Sequence, residues 1–413
     1  MSHKIIKCRN CNNNKFKELF SLGKLAFTGK FPNKYETQIP KEYINLIICT
    51  QCKLVQLDRN FDSRYLYGKD YGYRSGINKT MSEHLKKIAS KLKIFTKLKS
   101  GDAVLDIASN DGTLLNNYPK NIFTVGVDPI IKKLSKFYNK EHLKIGHFFS
   151  AKKILEFKIK KKFKIITALS VFYDLKNPNS FLSDVNKIID IKNGIFLLEH
   201  ADLHSIIRNN LFDTICHEHL TYYSSKIIIE MAKKNNFKII DIERNDINGG
   251  STRFYLAHKD SIYKEKKEKI SEILLFEKKL KLESSDTFKK FYKKILKLKT
   301  SLNILINKIT INKKIIHGYG ASTKGNVLLQ FYNIGNKNIK YIADRNIQKN
   351  NHYTPGTRIK IISEKISRSL CPDYYLVLPW HFKKEILKRE KKLLKKNTYF
   401  IFPLPQIKVL KCE

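Results

Sequence analysis

AVLDIASNDGTLLNNY, residues 103–118, reads as a buried strand, a loop of small residues and the start of a helix. Outward from it, TVGVDP (124–129) is a second strand ending in an acid, followed by the helical KKLSKFYNK. FKIITALSVFYDL (163–175) and GIFLLEHADL (194–203) read as further parallel strands. Strands alternating with helices predict a doubly wound α/β sheet, with its ligand outside the carboxyl ends of the strands. Asp106 ends the first strand, Gly112 opens the first helix, and Asp128 lies 22 positions after Asp106. A dinucleotide site would place G-x-G-x-x-G here to admit a pyrophosphate. The turn instead runs Ala108, Ser109, Asn110, Asp111, Gly112: one glycine and, with Asp106, two acids. Acids repel a pyrophosphate but suit a cationic nucleoside without phosphate, such as S-adenosylmethionine. Methyl transfer is favoured over hydride transfer.

The chain has 413 residues, 42% of them hydrophobic, which is ample for real cores and excludes disordered and fibrous classes. Lys and Arg exceed Asp and Glu to give a net charge of +43. Such an excess points to nucleic acid or an anionic surface, but the lysines spread over the whole chain instead of gathering at one patch. No run approaches the ~20 apolar residues of a spanning helix, and the N-terminus has no apolar signal core. A soluble, cytoplasmic protein is expected, with its thiols reduced. Cys8/Cys11 and Cys49/Cys52 form two C-x-x-C pairs. Two tight turns of this kind aim four sulfurs at one ion, the tetrahedral site that structural Zn²⁺ prefers. The second pair follows the strand-like run Tyr43–Ile48, and the 37 intervening residues imply an insertion.

Residues 264–310 are lysine-rich and helical: Phe288, Phe291, Ile295, Leu298, Leu302, Leu305 and Ile309 recur every three or four residues. Ser285 and Asp286 are its expected caps. The apolar face is expected to pack across a domain boundary, and chain-to-chain pairing in a homo-oligomer is left open. KIIHGYGASTKGNVLLQF (314–331) then reads as strand, glycine turn and helix, with IKYIADRN as the next strand. Gly318 and Gly320 allow a tight turn. The helix start offers N–H groups, and Lys324 a positive charge, to an anion.

Taken in order, these motifs are more specific than any one alone. With FDTICHEHLTYYS (212–224), NGGSTRFYLAH (248–258), GYGASTKGN (318–326), DRNIQKNNHYTPGTRIKI (344–361), LVLPWHF (376–382) and FIFPLP (400–405), the chain resembles the zinc-containing, S-adenosylmethionine-dependent C-methyltransferases of nucleotide-deoxysugar biosynthesis. The resemblance covers the whole chain. It implies methyl transfer to a sugar carbon next to a keto group of a nucleoside-diphosphate 4-keto sugar. It also implies three parts: a zinc-binding domain (1–68), a class I methyltransferase domain (69–262), and connecting helices with a C-terminal Rossmann-like domain (263–413). Glu218 and His219 are kept, and YGYRSG supplies Tyr71 and Tyr73 where members carry an active-site tyrosine. Two positions depart from the family: Cys216 stands where members have tyrosine, and Tyr173 where a histidine follows the fourth strand.

Carbon methylation next to a ketone needs a base, donors for the enolate and a methyl sulfonium in line. His219 is the expected base, since a neutral imidazole is available at working pH. Glu218 is expected to orient a neighbour or the substrate, and Tyr73 and Tyr173 to donate to the enolate. Asp106, Ala108, Asn110, Gly112 and Asp128 are the expected cofactor residues. Cys216, Tyr71, Arg253, Gly320 and Lys324 are the expected substrate residues, with Trp380 and His381 nearby. His-Glu-His at 217–219 lacks the H-E-x-x-H spacing of a helical metal site. Cys216 beside His217 lacks the third group of a nucleophilic triad. An RNA methyltransferase, suggested by charge plus cysteine knuckles, is the alternative, and a non-catalytic cofactor-binding scaffold is a third reading. Nucleic acid is the less favoured partner.

Overall fold

A computed structural model describes residues 2–67, 72–159, 161–394 and 398–411. Expected Tyr71 lies outside them. The N-terminal sheet pairs Phe16–Ala26, Lys41–Cys49 and Val55–Leu57 antiparallel, and Thr221–Tyr222 from far along the chain adds a fourth strand. Both cysteine pairs sit at turns at one end of this sheet.

The middle sheet has seven strands, in the spatial order Phe237–Asn245, Ser251–His258, Ile195–Ala201, Ile165–Leu169, Ala103–Ile107, Phe123–Val127, Leu143–Ile145. Six run in the same direction, and Ser251–His258 alone runs antiparallel, between Ile195–Ala201 and Phe237–Asn245. The strand order reverses at Ala103–Ile107, so a crevice opens beyond its carboxyl end. Its five residues are all buried, as a parallel strand covered on both faces requires.

The helix expected after this strand is corrected to a three-residue 3-10 turn, Leu115–Asn117. Asn117 folds its amide back onto the Thr113 and Leu114 carbonyls, and Pro119 bars Tyr118 from helical backbone. The fourth strand stops at Leu169, and Ser170 turns out with φ 57° ahead of the 3-10 turn Phe172–Asp174. The lysine-rich segment forms two helices, Lys267–Lys279 and Ser285–Ile311. The cap of the second is Ser284, one residue before the expected pair. Its face Phe288, Phe291, Ile295, Leu302, Ile306 and Ile309 is buried, and Phe20 of the N-terminal sheet stacks on Tyr292 at 5.1 Å. The helix thus packs on the N-terminal sheet, Phe20 also meeting Phe291 at 5.7 Å.

The C-terminal sheet orders its strands Lys360–Ser363, Tyr341–Asp344, Ile316–Tyr319, Tyr374–Val377, Tyr399–Phe402, Lys408–Lys411. The first five are parallel and the last antiparallel. This is a Rossmann-like order with its own switch point at Ile316–Tyr319. One apolar core joins it to the N-terminal sheet, from Leu22 and Leu46 through Phe288 to Val327 and Tyr375. No helix among the described residues is long and apolar enough to cross a membrane.

Candidate active site

Two cavities lie at the two switch points and share a wall. The first, about 500 Å³, is lined by Ala108, Asn110, Asp128, Ile130, Phe148, Phe149 and Glu199, among others. The second, about 290 Å³, is lined by Tyr173, His219, Gly320, Lys324, Lys349, His381 and Arg389, among others. Tyr73, Ser170, Asp174 and Glu218 border both.

The first cavity is built by its turn. Ala108, Asn110 and Gly112 all take positive φ, near 57°, 51° and 75°. Asp128 at the end of its strand accepts from Asn110 N at 3.0 Å and Ile130 N at 2.9 Å. Burial pushes its carboxyl up to about 6, against those two hydrogen bonds. Asp106 sits behind the wall instead of in it, bonded to Thr167 Oγ1 at 2.5 Å, and burial pushes it up to about 7. Gly112 opens no helix. A Cβ there would sit 2.6 Å from the Tyr138 ring, whose hydroxyl holds the Asn110 carbonyl at 2.9 Å. Asn110 and Asp111 also bind a neighbouring segment. Asn110 Oδ1 accepts from Ser75 N, Asp111 Oδ2 from Gly76 N, and Asn110 Nδ2 donates to Tyr73 O. The acidic turn therefore pins the segment that carries Tyr73 over the junction. Buried carboxylates, apolar walls and no phosphate cradle fit a cationic nucleoside.

On the other side of the junction, His219 Nδ1 lies 2.6 Å from the Thr214 carbonyl. A carbonyl only accepts, so Nδ1 carries the proton and Nε2 keeps the lone pair. Burial, with the Lys324 charge adding to it, drives the imidazole down to about 3, so it is neutral at any working pH. The Tyr173 ring packs on it at 4.1 Å. Lys324 donates to Asn248 O at 3.0 Å, and Asn248 reaches this position in the left-handed region, φ 57°. The Asn-Gly-Gly run has a reason: a Cβ on Gly249 would lie 2.7 Å from Trp380, whose indole N–H donates to buried Asp213.

Glu218 is held by residues that no sequence motif marked. Its Oε2 accepts from Thr28 Oγ1 at 3.1 Å, and a Cβ on Gly29 would come within 2.8 Å of Oε1. Asn326 donates to the Thr28 carbonyl at 2.7 Å. Thr28 thus links Asn326, through its carbonyl, to the Glu218 carboxyl, through its hydroxyl. Burial raises Glu218 above the usual carboxylate range. Cys216 is fully buried and lines neither cavity, and burial pushes its thiol well up. Arg253 is a correction: it lines neither cavity but braces the middle sheet, paired with Glu199 at 2.8 Å and Glu243 at 3.1 Å.

The four cysteine sulfurs lie within 4.8 Å of one another, with Cys8–Cys52 and Cys11–Cys49 at 3.6 Å. Four ligands 2.3 Å from a tetrahedral zinc would stand about 3.8 Å apart. Gln56 Nε2 reaches Cys8 Sγ at 3.2 Å and Asn13 Nδ2 reaches Cys49 Sγ at 3.4 Å, donors suited to thiolates. With no open position, such an ion stabilises the fold and takes no part in chemistry.

Residues 8–67 match a zinc binding domain family, 77–242 a methyltransferase domain family, and 246–405 the C-methyltransferase C-terminal domain family. This chain is an S-adenosylmethionine-dependent C-methyltransferase. The C-methyltransferase is 26% identical over 417 residues to C-methyltransferase NovU of Streptomyces niveus, covering 99% of this chain and 98% of that one. Among solved structures, magnesium protoporphyrin IX methyltransferase of Synechocystis PCC 6803 covers 48% of this chain and 89% of its own, at 12% identity and TM-score 0.33. An S-adenosylmethionine-dependent methyltransferase from Clostridium acetobutylicum covers 43% and 92%, at 12% identity and TM-score 0.34. Likeness at that level places no residue. S-adenosylmethionine and a structural zinc are the cofactors of this C-methyltransferase.

Proposed function

We propose that the enzyme methylates a carbon next to the keto group of a nucleoside-diphosphate 4-keto sugar, with His219 as base. The observation that carries this is the shared wall: an acidic cavity and a cation-lined cavity meet at Tyr73, Ser170, Asp174 and Glu218, with His219 just beyond. Asp128, Asn110 and Ala108 would hold the cofactor, which supplies an electrophilic methyl group. His219 Nε2 takes the proton from the carbon next to the ketone. Its Nδ1 bond to Thr214 fixes the ring and spreads the charge it gains. Tyr73 and Tyr173 donate to the enolate oxygen. Such preorganised donors add most where water is excluded. Glu218, locked by Thr28, orients the sugar.

The charge of the second cavity supports an anionic substrate. The helix Thr323–Tyr332 starts at its wall with Ser322 as cap, and Lys324, Arg345, Lys349 and Arg389 line it. A third cavity, about 350 Å³, continues outward past Arg74 and Arg345 to Lys133 and Lys136. Together these leave room and charge for a nucleoside diphosphate. S. niveus NovU, matched end to end, is itself named a C-methyltransferase.

The test is proton exchange. Incubated with a nucleoside-diphosphate 4-keto-6-deoxyhexose and S-adenosylhomocysteine in D₂O, the enzyme is expected to exchange deuterium into the carbon beside the ketone. His219→Gln should stop exchange while leaving cofactor affinity intact. Exchange at the wild-type rate in that variant removes His219 as base.

A further inference from the structure

The long helix Ser285–Ile311 buries one face in the apolar core and turns the other to solvent. Lysines are common along the whole chain, so their presence on that face says little. What sets it apart is the absence of acids. Between Asp286 and Asp344 run 57 residues whose only charged side chains are twelve lysines; the next longest acid-free run, after Glu390, has 22 residues. Lys290, Lys293, Lys297 and Lys308 fall along the outward line of the helix, as the 3.6-residue period requires. None of them has a carboxylate within ion-pair reach among the described residues, and Asp286, at the start of the helix, is taken by Lys289 at 3.5 Å. On the same line stand Ile304 and Ile311, 63% and 78% exposed. Lys290 to Ile311 spans about 30 Å.

We infer that this outward face docks the enzyme on an anionic lipid surface. Each lysine close to anionic headgroups strengthens binding about fivefold, provided it lies within the Debye length of ~8 Å. Lysine stems can lie along apolar surface while their ammonium groups stay in water. That lets Ile304 and Ile311 enter the boundary between headgroups and acyl chains. A second copy of the chain does not fit, because two such faces would set lysine against lysine. Single-stranded nucleic acid is held by stacking on aromatic rings and by arginine. The helix has no arginine, Phe288 and Phe291 are buried, and Tyr292 stacks on Phe20. The face shares no residue with either cavity at the junction, so the docking stands apart from the keto-sugar reading.

The experiment floats the full-length enzyme with vesicles of equal parts phosphatidylcholine and phosphatidylglycerol, and with vesicles of phosphatidylcholine alone. The anionic vesicles should bind at least about tenfold more tightly, and the difference should vanish as salt rises from about 0.05 to 0.5 M. Lys293→Glu with Lys297→Glu should lose at least about tenfold on the anionic vesicles. Lys86→Glu with Lys87→Glu makes the same change in net charge on the exposed side of the helix Lys79–Phe95, and should stay within about twofold of wild type. Ile304→Ser should weaken binding several-fold with the salt dependence unchanged. Melting temperature and calorimetric affinity for S-adenosylmethionine check that each variant is folded. Equal losses in the two lysine pairs would show attraction by overall charge alone and overturn the inference. So would equal binding to both kinds of vesicle, or a Lys293/Lys297 loss seen on a single-stranded RNA but not on vesicles.

Discussion

At the middle sheet's switch point, the cavity is lined by Asp128, Asp184 and Glu199. At the C-terminal sheet's switch point, the cavity carries Lys324, Arg345, Lys349 and Arg389, with Asp344, Glu364 and Glu385 set among them. The two strand–turn openings are built alike. Ala108 and Gly320 both take positive φ, and each turn hands its last backbone N–H groups to an aspartate at the end of the next strand: Asn110 N to Asp128, Ala321 N to Asp344. What differs is the residue that follows. The first turn runs into Asp111 and a broken helix; the second runs into a full helix with Lys324 in its first turn. One backbone device serves ligands of opposite charge, and the side chains that follow the turn decide which.

The comparison breaks hardest at His219, which belongs to the second cavity alone. His219→Gln should lower kcat/KM by about 10³ through loss of the base, with cofactor affinity by calorimetry within twofold of wild type. Equal losses on both sides would mean the cavities are not separable. Lys324→Met comes next. Removing the charge should raise KM for the nucleotide sugar about tenfold, and the sign of the pH effect is fixed. Burial and Lys324 both lower the His219 pKa; without Lys324 it rises, so the acid limb of kcat/KM moves to higher pH. A limb that stays or moves down contradicts the placement.

Gly29→Ala sharpens the account of Glu218. Its new Cβ, 2.8 Å from Oε1, should shift the carboxyl and cost roughly tenfold in kcat, with the melting temperature little changed; this is a positioning effect of the kind a misplacement of under an ångström gives. The smallest effect belongs to the acidic side. With Asp128 pushed up to about 6 by burial, the carboxylate is present above that pH and lost below it. Cofactor affinity should therefore fall several-fold between pH 7.5 and 5.5, and Asp128→Asn should flatten the dependence. Calorimetry at the two pH values checks this.

Much of this was legible because it is local. Two C-x-x-C pairs announce four converging sulfurs, and alternating apolar strands announce two parallel sheets. The broken helix after Gly112 was not legible, although Asn116, Asn117 and Pro119 were in view, because the strand–turn pattern outweighed poor helix formers. Thr28 and Gly29 carry no local signal: each meets Glu218 only through folding, across some 190 residues in the case of Thr28, and Asn326, though it ends a marked motif, joins them only through the Thr28 carbonyl. Arg253 looked free in a polar motif, but its partners Glu199 and Glu243 lie on neighbouring strands that only the sheet register brings together.

The most direct test supplies S-adenosylmethionine carrying a ¹³C methyl group, together with a nucleoside-diphosphate 4-keto-6-deoxyhexose, and follows the label by NMR and mass. The account predicts a product heavier by one methyl group, with the label bonded to a ring carbon next to the ketone. Cofactor bound tightly with no label in any keto sugar, or label found only on oxygen, would contradict it.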